Sequence, residues 1–198
     1  MRKILYLGPH TQLVDFLNNR EFEVVVHQEK LTLEEINQIN PDFTVSYGYR
    51  HIIKKDVIDA HDILNLHISY LPWNRGADPN FWSIYDETPR GVTIHFIDSG
   101  IDTGDIIFQK EVSFEKSENS LSISYDKLKK EVENLFIESW SNIEDGSYTR
   151  ICQNLNHGSH NYKRKLQKIW HLLPNQWNTT EEEIQCLKKE LILKSSIK

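Results

Sequence analysis

Short apolar runs alternate with amphipathic stretches along the first half of the chain. Residues 12–19 and 32–40 place apolar side chains at helical spacing, and the second stretch begins with a Thr32–Glu35 capping box. Between them lie runs rich in β-branched and aromatic residues, which favours buried strands. These runs span residues 3–7, 22–27, 43–47 and 63–66. Strand alternating with helix predicts an α/β fold with a mostly parallel sheet.

The second half of the chain changes character at Gly146. Before it, residues 92–97 and 106–112 read as two strands, and residues 120–143 carry apolar side chains at helical spacing. Asp78-Pro79 predicts the start of a short helix. After it come a candidate strand at 148–152, a helix at 165–170 and a final helix opening at Thr180. We therefore expect a catalytic domain at 1–146 and a C-terminal strand and helix extension at 147–198.

Composition limits the classes of function. The net charge is −6, which disfavours general nucleic-acid binding because that binding depends on cations that neutralise phosphates. The two cysteines, Cys152 and Cys186, lack metal-ligand spacing, and we expect both to be reduced. No run resembles a signal peptide or a membrane span. We therefore expect a cytoplasmic protein without a membrane partner.

Three side chains carry the candidate chemistry. Asn65 and His67 lie at the end of the fourth predicted strand, and Asp102 lies in a loop bracketed by Gly100 and Gly104. In open α/β sheets, ligands bind at the carboxyl ends of the strands. An amide, an imidazole and a carboxylate at such an edge can polarise a carbonyl and move a proton, which suits acyl transfer to an amine. Taken singly, each also fits a structural role in a turn or a buried hydrogen bond.

Histidines do not indicate a metal site. His95 lies in the middle of an apolar strand, where a buried hydrogen-bonded ring and a direct catalytic role both fit. His61, His67 and His95 lack the spacing of metal ligands, so no metal is expected.

The order of short motifs from residue 42 to 110 points to a family. These motifs are Asn-x-His at 65–67, Ser-x-Leu-Pro at 69–72, Arg-Gly at 75–76 and Gly-x-Asp-x-Gly at 100–104. In this order they resemble the 10-formyltetrahydrofolate-dependent formyltransferase family. That family includes glycinamide ribonucleotide transformylase, methionyl-tRNA formyltransferase and the sugar N-formyltransferases. The resemblance implies a three-layer α/β sandwich with a Rossmann-like sheet and a short C-terminal appendage.

The resemblance also implies a role for each site residue. Asn65 and His67 would stabilise the developing oxyanion, while Asp102 would orient His67 or accept the proton of the amine, directly or through water. The formyl donor would be 10-formyltetrahydrofolate. Its expected pocket consists of Tyr47, Gly48, Tyr49, Arg50, His51, Ile52, Ile53, Gly100, Ile101, Thr103 and Gly104.

Other residues are expected to bind the amine substrate. They are Arg75, Gly76, Asn80 and Trp82. Arg75 also fits a solvated surface side chain, and Trp82 also fits helix–sheet packing.

The family branches differ in the amine that they formylate. Residues 8–11 (Gly-Pro-His-Thr) lack the successive glycines of a phosphate loop, which disfavours a purine-pathway substrate. Methionyl-tRNA formyltransferases carry a further tRNA-binding domain that an acidic chain of this length does not accommodate. Residues 74–83 resemble the branch acting on nucleotide-linked amino-deoxy sugars, and dTDP-4-amino-4,6-dideoxyglucose is the most specific expectation.

Some alternatives stay open. The chain could formylate another small amine, such as glycinamide ribonucleotide, or bind folate without catalysis. For the sugar branch we expect a homodimer whose product enters lipopolysaccharide O-antigen synthesis.

Overall fold

The computed structural model describes residues 1–196, so the last two residues of the predicted extension lie outside it. Within this range the chain forms eight strands and seven α-helices. The strands are β1 (Lys3–Leu7), β2 (Glu23–His27), β3 (Phe43–Ser46), β4 (Leu64–His67), β5 (Arg75–Gly76), β6 (Gly91–Phe96), β7 (Ile106–Glu111) and β8 (His160–Asn161). The helices are α1 (Gln12–Asn18), α2 (Leu33–Ile39), α3 (Lys55–Ala60), α4 (Pro79–Tyr85), α5 (Leu121–Asp145), α6 (Lys163–Ile169) and α7 (Glu181–Ser196).

Six of the strands form one mostly parallel sheet in the order β2-β1-β3-β4-β6-β7. The pairs from β2 to β4 are parallel, whereas β6 runs antiparallel to both β4 and β7. The remaining strands, β5 and β8, pair in parallel as a small second sheet. This small sheet was not predicted because two-residue strands leave no periodic pattern in the sequence.

Alternate residues of β1 show how the sheet is covered on both faces. Ile4 and Tyr6 lie in the hydrophobic cluster that also contains the buried side chains of α1 and α5. Leu5 and Leu7 lie in a second cluster with buried residues of α2 and α3. Successive side chains of a strand point to opposite faces, so the sheet lies between two helical layers. This arrangement confirms the predicted α/β fold class.

Several helix ends follow local capping rules. The Thr32 hydroxyl accepts a hydrogen bond from Glu35 N (3.2 Å), and the Glu35 carboxylate accepts one from Thr32 N (2.8 Å), as predicted for α2. Gly146 ends α5 in the left-handed conformation (φ 76°). Asp78 precedes α4, but its side chain makes no capping hydrogen bond. The six-residue helix α3 was not anticipated.

The C-terminal segment, residues 147–196, packs mainly through its helices. Leu166, Leu173 and Ile184 join a third apolar cluster with Phe81 of α4 and Leu121 of α5. The expected strand at 148–152 is wrong, because only an isolated bridge forms there. Beyond that bridge, Gln153 Nε2 donates to the carbonyl oxygens of Asp102 and Gly104, and β8 pairs with β5. No described helix has the length and apolar character needed to cross a bilayer.

Candidate active site

The register of the sheet brings the candidate residues together. Asn65 and His67 are alternate residues of β4 and therefore share a face. Asn65 lies beside Ser46, the last residue of β3, and directly opposite His95 on β6. The loop that carries Asp102 connects β6 to β7 and returns over this point.

Four side chains meet at this edge of the sheet. Asn65 Nδ2 lies 3.1 Å from His95 Nε2 and donates to Asp102 Oδ1 at 3.4 Å. The Asp102 carboxylate also lies 3.6 Å from His67 Nε2 and 3.6 Å from His95 Nε2. The three predicted catalytic residues thus converge, together with a histidine for which sequence reasoning left two roles open. Their catalytic roles remain predictions.

His95 is fixed as a neutral ring. Its Nδ1 lies 2.8 Å from the carbonyl oxygen of Phe96, which requires a proton on Nδ1. Its Nε2 is then the acceptor that faces the Asn65 amide. Burial, opposed by the charge of Asp102, lowers the pKa of His95 to about 4. At neutral pH this ring therefore orients Asn65 rather than supplying a proton.

Asp102 is held as a carboxylate. Burial would raise its pKa, but His67, the hydrogen bond from Gly76 N (2.7 Å to Oδ2) and the charge of Arg75 outweigh that effect and lower the pKa. His67 lies 8% exposed beside it, so the pair is largely removed from solvent. A buried carboxylate next to an imidazole can orient the ring and accept a proton from an attacking amine.

The Asp102 loop is built by its own side chains. Asp98 Oδ1 accepts hydrogen bonds from Gly100 N (2.9 Å) and from the Thr103 hydroxyl (2.6 Å). Gly104 approaches the sheet so closely that a Cβ there would lie 2.0 Å from Phe96 O. Asp102 itself has a φ of 50°, in the left-handed region. The loop thus places the carboxylate at some cost in backbone strain.

The family follows from comparison with known proteins. A model of the formyl transferase family matches residues 9–139. The chain belongs to this family. It is 34% identical over 139 residues to the methionyl-tRNA formyltransferase of Thermodesulfovibrio yellowstonii, covering 69% of this chain and 44% of that protein. The chain spans about half the length of the curated relatives that it matches.

Solved structures of other formyltransferases share the fold. The formyltransferase PseJ from Anoxybacillus kamchatkensis, in complex with UDP-4,6-dideoxy-4-formamido-L-AltNAc and tetrahydrofolate, is 43% identical with a TM-score of 0.86, and the match covers 92% of this chain and 97% of PseJ. A 4-N formyltransferase from Francisella tularensis is 25% identical with a TM-score of 0.75, covering 85% and 79%. These matches confirm the family and the enzyme class inferred from the sequence. The family uses 10-formyltetrahydrofolate as its formyl donor.

Residues expected to bind the folate lie in two loops and divide between buried and exposed positions. Tyr47 is buried in the core, where burial and the nearby Glu133 carboxylate raise the pKa of its phenol. The Tyr49 hydroxyl donates to Glu29 O (2.6 Å). In contrast, Ile52 is 89% exposed and Ile101 is 46% exposed. Large apolar side chains left open to solvent beside glycine turns fit the walls of a slot for a flat ring.

Other predicted folate residues divide between the same two environments. Ile53 is buried in the cluster beneath α3, whereas Arg50 and His51 are exposed beside Gly48.

The residues expected to bind the amine substrate separate into two pairs. Arg75 and Gly76 form β5 and lie beside Asp102. Asn80 and Trp82 are buried on α4, where Asn80 Nδ2 donates to Leu121 O (3.0 Å). The structure therefore brings the first pair to the site but not the second, and it favours a packing role for Asn80 and Trp82.

Two site residues were missed by sequence reasoning. Gln153 Nε2 donates to Asp102 O (3.0 Å) and to Gly104 O (2.7 Å). The Ser159 hydroxyl accepts from Asn74 N (3.0 Å) in the turn before β5. A single polar residue in an irregular segment carries no sequence signal for such contacts. Among the described residues, no three His, Cys, Asp or Glu side chains group as metal ligands.

Proposed function

We propose that this chain transfers the formyl group of 10-formyltetrahydrofolate to the 4-amine of a nucleotide-linked 4-amino-4,6-dideoxy sugar. The convergence of Asn65, His67 and Asp102 at one sheet edge is the observation that carries the reaction type. The likeness to PseJ supports the sugar class, because it extends over nearly the whole of both chains.

Each residue has a distinct part in this proposal. The folate supplies the formyl carbon. Asn65 gives one amide hydrogen to His95 Nε2 and turns the other, which otherwise contacts Asp102 Oδ1 at 3.4 Å, to the formyl oxygen, on which negative charge develops as the amine attacks. A preorganised donor of this kind lowers the barrier. His67 lies beside this oxygen as a second donor. Asp102 keeps His67 oriented and accepts the proton that leaves the amine nitrogen. A proton must also reach the folate nitrogen as its bond to the formyl carbon breaks, and His67 or a water molecule would deliver it, so that tetrahydrofolate leaves.

His95 keeps the Asn65 amide in place. Because its Nε2 accepts one Asn65 proton, the carboxamide cannot rotate freely. Fixing a donor before the reaction avoids reorganisation when charge develops. His95 is therefore a positioning residue in this proposal.

UDP is the nucleotide that we favour. The sequence alone suggested a dTDP-linked sugar, but PseJ was solved with a UDP-linked formamido sugar. The methionyl-tRNA formyltransferases match a smaller share of both chains at lower identity. The proposal thus places a UDP-linked 4-amino sugar first and a dTDP-linked sugar second.

A substrate panel tests the proposal directly. The chain is incubated with 10-formyltetrahydrofolate and, separately, a UDP-linked 4-amino sugar, its dTDP-linked counterpart, glycinamide ribonucleotide and methionyl-tRNA. We expect tetrahydrofolate release and a formamide product with the UDP-linked sugar, and slower turnover with the dTDP-linked sugar. Turnover only with glycinamide ribonucleotide or methionyl-tRNA would overturn the sugar assignment. Folate binding without turnover on any amine would overturn catalysis.

Three further expectations belong to this proposal. We infer a division between a catalytic domain and the C-terminal segment at residue 146, a homodimer in the cytoplasm, and a product used in surface-polysaccharide assembly. We expect the dimer interface in the C-terminal segment, which exposes the apolar side chains of Leu172, Trp177 and Leu193. Light scattering checks this expectation: a monomer mass at micromolar concentration would remove the dimer from the proposal.

A further inference from the structure

We propose that Gln153 is a positioning residue that holds the Asp102 loop in its working conformation from the C-terminal segment. The inference deepens the proposed function, on which its kinetic part rests. It also extends the site beyond residues 9–139, which the family model matches.

The Gln153 side chain spans two carbonyl groups of the loop. Gln153 is 7% exposed, and its Nε2 donates to Asp102 O at 3.0 Å and to Gly104 O at 2.7 Å. A carboxamide nitrogen carries two hydrogens, so one side chain can satisfy both carbonyls. Its Oε1 is buried without a hydrogen-bond partner among the described residues. Burying that oxygen costs free energy, which the two bonds to the loop must offset.

The bonded carbonyl belongs to the residue with the strained backbone. Asp102 has a φ of 50°, in the left-handed region that residues other than glycine adopt uncommonly. Gln153 contacts the backbone of this residue, whereas Gly76 N donates to its carboxylate. Backbone and side chain of Asp102 are therefore held from two directions.

Both supports depend on the C-terminal segment. Ile151, two residues before Gln153, exchanges backbone hydrogen bonds with Ile106 of β7 (2.8 and 2.9 Å). These bonds fix the position of the backbone from which the Gln153 side chain extends. On the other side, β8 pairs with β5, and Ala77 N donates to Asn161 O at 2.9 Å. This pairing positions the Gly76 amide. The C-terminal segment thus holds the Asp102 loop in two places, at the Asp102 backbone and at the Asp102 carboxylate.

The test compares two glutamines of the C-terminal segment. Gln153→Met keeps the length of the side chain and removes both donated bonds. The matched control is Gln185→Met, because Gln185 Nε2 donates to two carbonyls of the chain, Ile84 O and Tyr85 O, away from Asp102. Both variants lose the same kind of contact, so a general loss of packing affects them alike.

We expect Gln153→Met to lower kcat about 10- to 100-fold with little change in KM, because small misplacements of a catalytic group cost rates of this order. The acid limb of the kcat/KM profile should also move to higher pH. Once the loop relaxes, Asp102 loses the Gly76 bond, which is one of the interactions that lower its pKa, so that pKa rises. Gln185→Met should retain the wild-type kcat and pH profile.

Hydrogen exchange separates this inference from the proposed function. The amides of residues 98–105 should exchange faster in Gln153→Met than in the wild type or in Gln185→Met, whether or not the correct amine has been found. A wild-type protein that is inactive on every amine refutes the proposed function. Faster exchange in Gln153→Met still supports the inference that Gln153 holds the Asp102 loop. If exchange of these amides is unchanged in Gln153→Met, Gln153 does not hold the loop. If exchange is faster but kcat and the pH profile are unchanged, Gln153 holds the loop without positioning Asp102 for the reaction.

A shorter amide guards against misfolding. Gln153→Asn retains a carboxamide but lacks the methylene needed to reach both carbonyls. If Gln153→Met does not fold, Gln153→Asn should show the same slower turnover and the same faster exchange. A folded Gln153→Asn with wild-type values for both would contradict the inference.

Discussion

The sheet edge and the C-terminal segment hold their side chains by different means. His95 is 1% exposed within β6, between β4 and β7, so strand register alone sets its position opposite Asn65. Gln153 lies in irregular backbone, and hydrogen bonds to the carbonyl oxygens of Asp102 and Gly104 hold its side chain in place. These partners precede it in the sequence by 51 and 49 positions. In the proposed reaction, the first region supplies Asn65, His67 and the ring that positions Asn65, and the second region holds the loop that carries Asp102.

Removing a reactive group from the sheet edge should have the largest effect. We expect Asn65→Ala to lower kcat roughly 10²–10³-fold, the usual cost of losing one oxyanion donor. Steady-state turnover of 10-formyltetrahydrofolate measures it. The surface variant Asn37→Ala on α2 is the control and should keep wild-type turnover. Near-normal kcat in a folded Asn65→Ala protein would remove Asn65 from the chemistry.

Adding a methyl group at Gly76, where β5 pairs with β8 of the C-terminal segment, should have the next largest effect. Gly76 has a φ of 88°, and a Cβ there would lie 2.4 Å from Asn161 O. Gly76→Ala should therefore push β5 from β8 and disturb the amide that binds Asp102. We expect kcat to fall about 10- to 100-fold and the free energy of unfolding to fall by about 1–3 kcal/mol.

Gly146→Ala is the control for Gly76→Ala. Gly146 also has a positive φ (76°), but its added Cβ would meet no atom within 4 Å. This variant should lose stability without a comparable loss of kcat. Equal losses of kcat in both variants would show that the link between the two small strands is irrelevant to the site.

The buried ring of His95 should make stability depend on pH. Its pKa is about 4 when folded, against an ordinary value near 6.5, so the unfolded chain binds a proton that the folded chain does not. Stability is therefore present above about pH 6.5 and is lost as pH falls towards 4, by about 1–3 kcal/mol. The lowered pKa of Asp102 adds a loss in the same direction at still lower pH.

Urea unfolding at several pH values measures this dependence. His95→Gln should flatten it between pH 6.5 and 4, whereas His171→Gln, at an exposed position, should retain the wild-type curve. A His95→Gln protein with the full wild-type slope would show that the ring is not held neutral.

Two matched helix caps give the smallest effect and compare the regions directly. Thr32 caps α2, and Thr180 caps α7 through the same exchange of bonds with Glu183 (3.2 and 2.7 Å). Each Thr→Ala change should lower the free energy of unfolding by about 1 kcal/mol and leave kcat unchanged. Because α7 packs against α4, both should shift one common transition. A separate, earlier transition in Thr180→Ala would show that the segment unfolds independently.

The sequence predicted the parts of the fold that repeat. Hydrophobic spacing and local end signals predict the six strands of the main sheet. They also predict the α2 capping box and the long helix α5. The predicted strand β4 began one residue early, at Ile63, which barely changes the placement of Asn65. Strands β5 and β8 could not be predicted because pairing across 85 residues between two-residue strands leaves no local pattern.

The candidate site divides in the same way. Asn65, His67 and Asp102 could be named from their motifs, and the contact between Asn65 and His95 follows once β6 is known to run antiparallel to β4. Gln153 could not be named, because its partners are backbone carbonyls and any loop offers those. The substrate role of Asn80 stays a prediction, although its amide nitrogen donates to Leu121 O and Ser124 Oγ inside the protein.

A crystal structure with tetrahydrofolate and the UDP-linked 4-amino sugar tests the central claim most directly. The account predicts that the sugar amine lies about 3–3.5 Å from the point at which the folate nitrogen would carry the formyl carbon, within hydrogen-bond reach of Asn65, His67 and Asp102. It also predicts that Gln153 still bonds the Asp102 and Gly104 carbonyls. A folate bound elsewhere, or an amine facing away from these three side chains, would contradict it.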